Sequence, residues 1–390
     1  MYTTQVVESI TGIEQNQWDA LRNDNPYMKY GWLKTYELMN ADNVKPLYIL
    51  VLRDYELVGA TVCYIFQKGI SYPGLDYSLF GRLRKIASRL TVSLLPALIC
   101  CPGRGRGKHF LIARDCDSAG KERISRTLLD TIEREANNCS LSIVFNNVLE
   151  EDGDLRCLLS KNNYCETLSL PLNYLNVTWN TFKEYKMYVR KIKPSMKKTI
   201  NREINKSRKE GVIIQPVHMI NAYEKELYQL LDANQRKYNA RPIPFREGFL
   251  SELKHNLNDD VIIYSAVKNG KLQGTSLCLK QNDVAFVTMV GVNHALAKND
   301  CTYFNIAYYR PIEDAISWGI KKMYFGNAMY AMKMRRGCLI TDTYIFYKPV
   351  KGYLNALIKP WFYIQGKWYK KKFVKARNRK PHLEKKRKNK

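Results

Sequence analysis

The sequence predicts a mixed α/β protein, α+β in its mixed sheets, built as two tandem lobes with a basic C-terminal tail. The first observation behind this is a repeated hairpin. PLYILVLRDYELVGATVCYIF in the first half and VIIYSAVKNGKLQGTSLCLK in the second both alternate as strand, turn, strand. Asn269-Gly270 is an explicit hairpin turn. The two copies share L-x-G-x-x-x-C, as Leu57, Gly59, Cys63 and Leu272, Gly274, Cys278. A glycine inside a strand marks a bulge or a close backbone approach. The second observation is that each hairpin leads to a helix and then to a short strand ending in Asn. The third is length, since 390 residues exceed one typical domain.

The elements take their order from periodicity. Ile124 to Ala136 places Leu128, Leu129, Ile132 and Ala136 at helical spacing and leads to SIVFNN. Tyr303 to Trp318 places Ile306, Ile312, Ala315 and Ile316 likewise and leads to KKMYFGN. The same order twice implies two lobes of similar architecture. The expected boundaries are a first lobe over 1–170 with an insertion at about 71–110, a second over 171–350, and a basic, aromatic-rich tail over 351–390 whose end is disordered. Within the insertion, LFGRLRKIASRLTVSLL aligns Leu79, Leu83, Ile86, Leu90 and Leu94 beneath a basic face. That is an amphipathic helix, which either packs on the protein's own core or lies on a membrane surface.

Charge is concentrated. Gln365 to Lys390 holds thirteen Lys and Arg against one Glu, and Lys183 to Lys209 eleven against two, so these two stretches supply most of the +27. Such patches attract polyanions, either nucleic acid or an anionic membrane face. In the second stretch Pro194 breaks the helix, and Met196, Ile200 and Ile204 leave only a thin apolar stripe. The remaining faces carry Lys197, Lys198, Arg202 and Lys206, either a polyanion track or a solvated connecting helix.

Ten cysteines without C-x-x-C pairs read as small buried hydrophobes in a reducing compartment, and five histidines leave little material for a metal site. The longest uncharged apolar stretch, Thr91 to Pro102, is too short to span a bilayer, and the N-terminus shows no leader. The expectation is a cytoplasmic protein with no metal, peripheral to a membrane at most.

Three stretches resemble the FemAB-like proteins, which use the tandem acyl-CoA N-acyltransferase (GNAT) fold and include aminoacyl-tRNA-dependent peptidoglycan bridge transferases. They are WDALRNDNPYMKYGWLKTYE, the basic run with Lys198, Ile200, Arg202 and Gly211, and YYRPIEDAISWGIKKMYFGNAMYAMKMRRG. The last places Lys333, Arg336 and Gly337 on the family's K-x-x-R-G motif. The resemblance implies two GNAT-like lobes, the second catalytic, and acyl or aminoacyl transfer to an amine acceptor in cell-wall, polysaccharide or natural-product biosynthesis. The implied donor is aminoacyl-tRNA or acyl-CoA, with no tightly bound cofactor.

Within GNAMYAMKMRRG, Lys333 and Arg336 are one helical turn apart, a pair suited to phosphate or carboxylate, with Asn327 and Tyr330 beside them. Arg335 points elsewhere. Gln235, Arg236 and Tyr238 fall where the resemblance puts an acceptor site. A CoA user cradles pyrophosphate on a glycine-rich loop opening a helix. The second lobe offers only GVNHALAKNDCTYF at that point, and PGRGRGK in the first lobe starts with Pro and stands well before its helix. No Ser-His-Asp or Cys-His arrangement nominates a nucleophile. Three readings stay open: an aminoacyl-tRNA-dependent transferase, with tRNA as a partner, a conventional acyl-CoA N-acetyltransferase, and a non-enzymatic protein binding a polyanion, nucleic acid or a membrane surface, on a transferase scaffold.

Overall fold

The structure is a computed structural model and describes residues 1–21, 24–40, 44–67 and 95–373. The amphipathic stretch read at 79–94 and the end of the tail lie outside the described residues. The chain divides into two compact units, Met1–Pro171 with Thr341–Lys375, and Leu172–Ile340.

The first unit begins with β1 (Tyr2–Val7), α1 (Gln15–Ala20) and α2 (Tyr30–Met39), then the predicted hairpin β2 (Lys45–Arg53) and β3 (Glu56–Phe66). After β4 (Ala97–Cys100) and the short β5 (Leu111–Ile112), Asp117 caps α3 (Ser118–Asn138), accepting the Gly120 N–H at 2.7 Å. Leu128, Leu129, Ile132 and Ala136 of α3 are fully buried against the sheet. Then come β6 (Ser142–Leu149), α4 (Gly153–Lys161) and β7 (Cys165–Leu168).

The second unit starts with β8 (Leu172–Asn176) and a helical hairpin, α5 (Phe182–Ile192) and α6 (Pro194–Lys209). Pro194 ends one helix and opens the next, where its missing N–H costs nothing. Next are β9 (Ile213–Pro216), α7 (Ile220–Asn239), α8 (Phe249–Leu257), and the antiparallel strands β10 (Val261–Lys268), β11 (Lys271–Gln281) and β12 (Val284–Val292). Helix α9 runs through Thr302–Phe304, a π turn at Asn305–Tyr309, and Arg310–Ser317. It is succeeded by β13 (Lys322–Tyr324), α10 (Tyr330–Arg335) and β14 (Leu339–Thr341). The chain then returns to the first unit with β15 (Thr343–Lys348) and α11 (Asn355–Lys372).

The two sheets repeat one strand order, β1-β2-β3-β4-β6-β15-β7 and β9-β10-β11-β12-β13-β8-β14, with β5 beside β3 in the first. In each, the fourth and fifth strands are the parallel pair, β4 with β6 and β12 with β13. The shared glycines sit where the sequence pattern implied irregular backbone. Val58 and Gln273 are the extra residues of matching bulges, because Val51 faces Gly59 while Leu52 faces Leu57, and Ala266 faces Gly274 while Val267 faces Leu272. A Cβ on Gly59 would lie 2.2 Å from the Ile124 side chain, and one on Gly274 3.1 Å from that of Thr302. Each glycine lets the helix of its own unit approach the sheet.

Two segments fall elsewhere than the boundaries 171–350 and 351–390 suggested. Strand β15 completes the first sheet, pairing with β6 and β7. Residues 355–372 are helix, with Phe362, Tyr369 and Phe373 buried and the Phe362 carbonyl accepting from Thr167 Oγ1 of β7. The run PGRGRGK packs on the first unit's N-terminal motif. Trp32 Nε1 donates to the Gly103 carbonyl at 2.8 Å, and a Cβ on Gly103 would meet the Tyr27 carbonyl oxygen at 2.1 Å. Its glycines serve close packing.

Candidate active site

In the second unit β12 and β13 run together only briefly. Val284, Ala285 and Phe286 face Lys322, Met323 and Tyr324, and the pairing stops there. Beyond that point the chain after β13 stays with β8: Phe325 N–H donates to the Asn173 carbonyl at 2.9 Å, and Asn173 N–H to the Gly326 carbonyl at 3.1 Å. Strand β12 diverges, bulging at Thr288, since Leu277 faces Met289 while Cys278 faces Val287. Residues 287–292 and 325–327 therefore leave the parallel pairing, past the C-terminal end of the stretch where the two strands run together. The Thr288 hydroxyl is buried there without a hydrogen-bond partner.

Lys333 and Arg336 are both buried. The Lys333 ammonium donates to the Phe325 carbonyl, at the point where the strands part. Arg336 Nη2 donates to both carboxylate oxygens of Glu203 on α6, at 3.1 and 2.8 Å, and its Nε to Tyr309 Oη at 3.0 Å. Tyr309 Oη in turn donates to Glu203 Oε2. The Arg336 guanidinium stacks 4.1 Å from the centre of the Phe304 ring. The pair expected to grip an anion together is thus turned onto different internal partners, one a backbone carbonyl and the other a carboxylate.

Burial alone lowers the Arg336 pKa, but Tyr309 and Glu203 beside it outweigh that and leave it above its ordinary value. Burial raises the Tyr309 phenol above its usual range, so it serves as a hydrogen-bond donor at neutral pH.

The segment 326–337 is held down by Tyr185 Oη on the Arg336 carbonyl at 2.9 Å and by Asn173 Nδ2 on the Gly326 carbonyl at 2.8 Å. Gly337 adopts φ +93°, and a Cβ there would press on Tyr188 at 2.8 Å, so its requirement is conformational and steric. Asn327 and Tyr330 are half-buried on the same segment, and Arg335 is exposed. Arg236 is exposed on α7 and paired with Asp232 at 2.6 Å. Nearby, Tyr238 Oη approaches His294 Nε2 at 3.5 Å, just past the end of β12. Burial, then Lys237, lower the His294 pKa, which keeps the imidazole neutral at pH 7.

On α6, Lys198, Arg202 and Lys206 are exposed, while Lys197 is half-buried with its ammonium 3.3 Å from Met187 Sδ. A cavity of about 230 Å³ lies against Tyr309, bordered by Phe182, Ile204, Ser207, Asn305, Arg310 and Glu313.

Asp300 is a further site group, one that the sequence pattern does not single out. It is fully buried at the start of α9, where Oδ1 accepts the Thr302 N–H at 3.0 Å and Oδ2 accepts Gln273 Nε2 at 2.8 Å. Gln273 is the bulge residue of the repeated hairpin, so the backbone irregularity aims its amide at this carboxylate. The helix N-terminus therefore already holds an anion.

A splayed parallel pair beside a helix N-terminus, inside a sheet order present twice, defines a tandem GNAT-like transferase fold. The chain matches the FemAB-like family, described as peptidoglycan biosynthesis/recognition, over residues 9–384, and it belongs to that family. Among solved structures it is similar to FemX, with a TM-score of 0.58 at 10% identity, covering 91% of this chain and 100% of that one. It is similar too to the C-terminal domain of a putative lysylphosphatidylglycerol synthetase from Agrobacterium fabrum, with a TM-score of 0.54 at 11% identity over 88% and 93% of the two chains. A tandem GNAT protein of clavulanic acid biosynthesis matches with a TM-score of 0.48 at 12% identity over 90% and 99%. No curated protein matches this chain.

Proposed function

We propose that the second unit transfers an aminoacyl group from aminoacyl-tRNA to an amine of a cell-wall precursor, in the cleft between β12 and β13. The carrying observation is that splay: the β12 edge beyond Phe286 has no β13 residue paired with it, and a donor's carbonyl oxygen would take that place. The acceptor nitrogen attacks the ester carbonyl carbon, an amide bond forms, and the ester bond to the ribose hydroxyl breaks. The oxyanion between these steps is met by backbone N–H groups of β12. His294, neutral and at the mouth, takes the amine proton and returns it to the leaving ribose oxygen, so the imidazole ends neutral again. Holding donor and acceptor together supplies much of the acceleration.

Asp300 favours this donor over acyl-CoA. A pyrophosphate approaching the N-terminus of α9 would meet a buried carboxylate where a CoA user offers bare N–H groups. The polynucleotide of a tRNA needs a basic track instead, and the exposed Lys198, Arg202, Lys206 and Lys209 of α6 line one helical face.

The test is paired. The chain is incubated with a muramyl-peptide acceptor and either labelled aminoacyl-tRNA or labelled acetyl-CoA. Label entering the acceptor from tRNA is the expected result. Label entering only from acetyl-CoA, or from neither, would sink the reading.

A further inference from the structure

Helix α11 has two faces of different chemistry. The inner one buries Phe362, Tyr369 and Phe373. The outer one repeats at helical spacing: Ala356, Lys359, Pro360, Tyr363, Ile364, Lys367 and Lys371 are all exposed. Its centre is apolar, with Tyr363 63% and Ile364 59% exposed, and the preceding turn adds Tyr353 at 69% and Val350 at 47%. Monomeric proteins seldom leave several large apolar side chains together in water. The flanks are cationic, and no Asp or Glu occurs between Asp342 and Glu384.

We infer that the outer face of α11 docks on an anionic lipid surface. Tyr363, Ile364, Tyr353 and Val350 enter the headgroup region, while Lys359, Lys367 and Lys371 extend to lipid phosphates on either side. An apolar centre flanked by lysines is the pattern of helices that lie in a membrane interface. RNA fits this face less well, because phosphate and ribose give Ile364 and Val350 nothing to pack against. The contrast with α6 is direct: between its exposed cations stand Ser195 and Asn205, with no large exposed apolar side chain. The lipid contact is independent of the proposed transfer reaction. It would hold the first unit at a membrane whatever the second unit transfers.

The experiment is co-sedimentation of the full chain with phosphatidylcholine vesicles, with and without phosphatidylglycerol. Binding only where phosphatidylglycerol is present, weakening as salt rises, is expected. Tyr363→Ser with Ile364→Ser should lower the partition coefficient about tenfold. Lys359→Gln and Lys367→Gln should each lower it about fivefold. All these side chains are exposed, so thermal melts should match the parent and exclude misfolding. A chain ending at Phe373 should bind more weakly yet keep the same sensitivity to these substitutions. Absence of binding to anionic vesicles overturns the inference. So does binding that vanishes with residues 374–390 and ignores the helix substitutions. Face variants that lose tRNA on filters, or that convert a dimer to monomer, while vesicle binding stays unchanged would assign the face to RNA or to a second copy instead.

Discussion

Arg336 and Glu203 form a two-point ion pair, 3.1 and 2.8 Å, with the arginine 4% and the glutamate 9% exposed. They are far apart in sequence, and the pair fastens the basic helix α6 to the segment after β13. Tyr309, from the π turn of α9, closes the ring by accepting from one partner and donating to the other. A π turn inserts one residue into the helical ladder and re-aims the side chains around it. Here that brings Tyr309 onto the ion pair and Asn305 Nδ2 onto the Glu203 carbonyl at 3.2 Å.

Removing one member should leave an uncompensated buried charge. Arg336→Met or Glu203→Leu is expected to cost about 3–5 kcal/mol, while the two changes combined cost much less than the sum. Urea unfolding of the four proteins in a double-mutant cycle measures this. A coupling near zero would mean that the pair contributes nothing to the fold of the second unit.

Lys333 and Arg335 are two residues apart and should behave oppositely. Lys333 satisfies the Phe325 carbonyl where the strands part, so Lys333→Met should cost about 1–3 kcal/mol and reduce transfer by distorting the cleft wall. Arg335 is exposed, and Arg335→Met should change stability by no more than about 0.5 kcal/mol. Thermal melts and transfer rates on both variants check this. A larger loss at Arg335 would show that the loop grips its ligand through the outward cation.

The repeat is legible because bulges write themselves into single positions. Gly59 answers a steric demand that a Cβ would violate outright, Gly274 at the matching bulge a milder one, and the paired positions expose the duplicated fold. The destination of β15 is not legible: alternation announces a strand but does not say which sheet will take it. The cations of the K-x-x-R-G motif are visible, while their direction is not. Glu203 is easily passed over because a lone acid in a basic helix looks solvent-facing. A signal does exist, since the buried face of α6 runs Met196, Ile200, Glu203, Ser207, and the glutamate keeps the helical spacing of that stripe. Asp300 depends on a side-chain contact across 27 residues, which periodicity cannot reveal.

His109 should give the first unit an acid-sensitive stability. Its imidazole is buried, with Nε2 donating to the Asn146 carbonyl at 2.9 Å, and burial pushes its pKa down to about 4 from 6.5. The unfolded chain then takes up a proton near pH 6.5 that the folded chain refuses until about pH 4. The stabilisation is therefore complete above 6.5 and is lost as pH falls towards 4, on the order of 3 kcal/mol across that window. Denaturant titrations at several pH values should show the slope, and His109→Gln should flatten it. An unchanged slope in the variant would place the acid sensitivity on another group.

His294 should govern the acid side of the transfer reaction. Its lowered pKa, caused by partial burial and then Lys237, puts the onset of protonation below the ordinary 6.5. Transfer kcat/KM should hold steady at neutral pH and fall below that value, as the base is lost to protonation. His294→Gln should reduce the rate about a hundredfold and remove the acid limb. Lys237→Gln removes a repelling cation and should shift the limb to higher pH without lowering the plateau. A purely structural His294 would lower the rate and leave the shape of the profile intact, so the limb, rather than the rate, decides whether this imidazole accepts the amine proton.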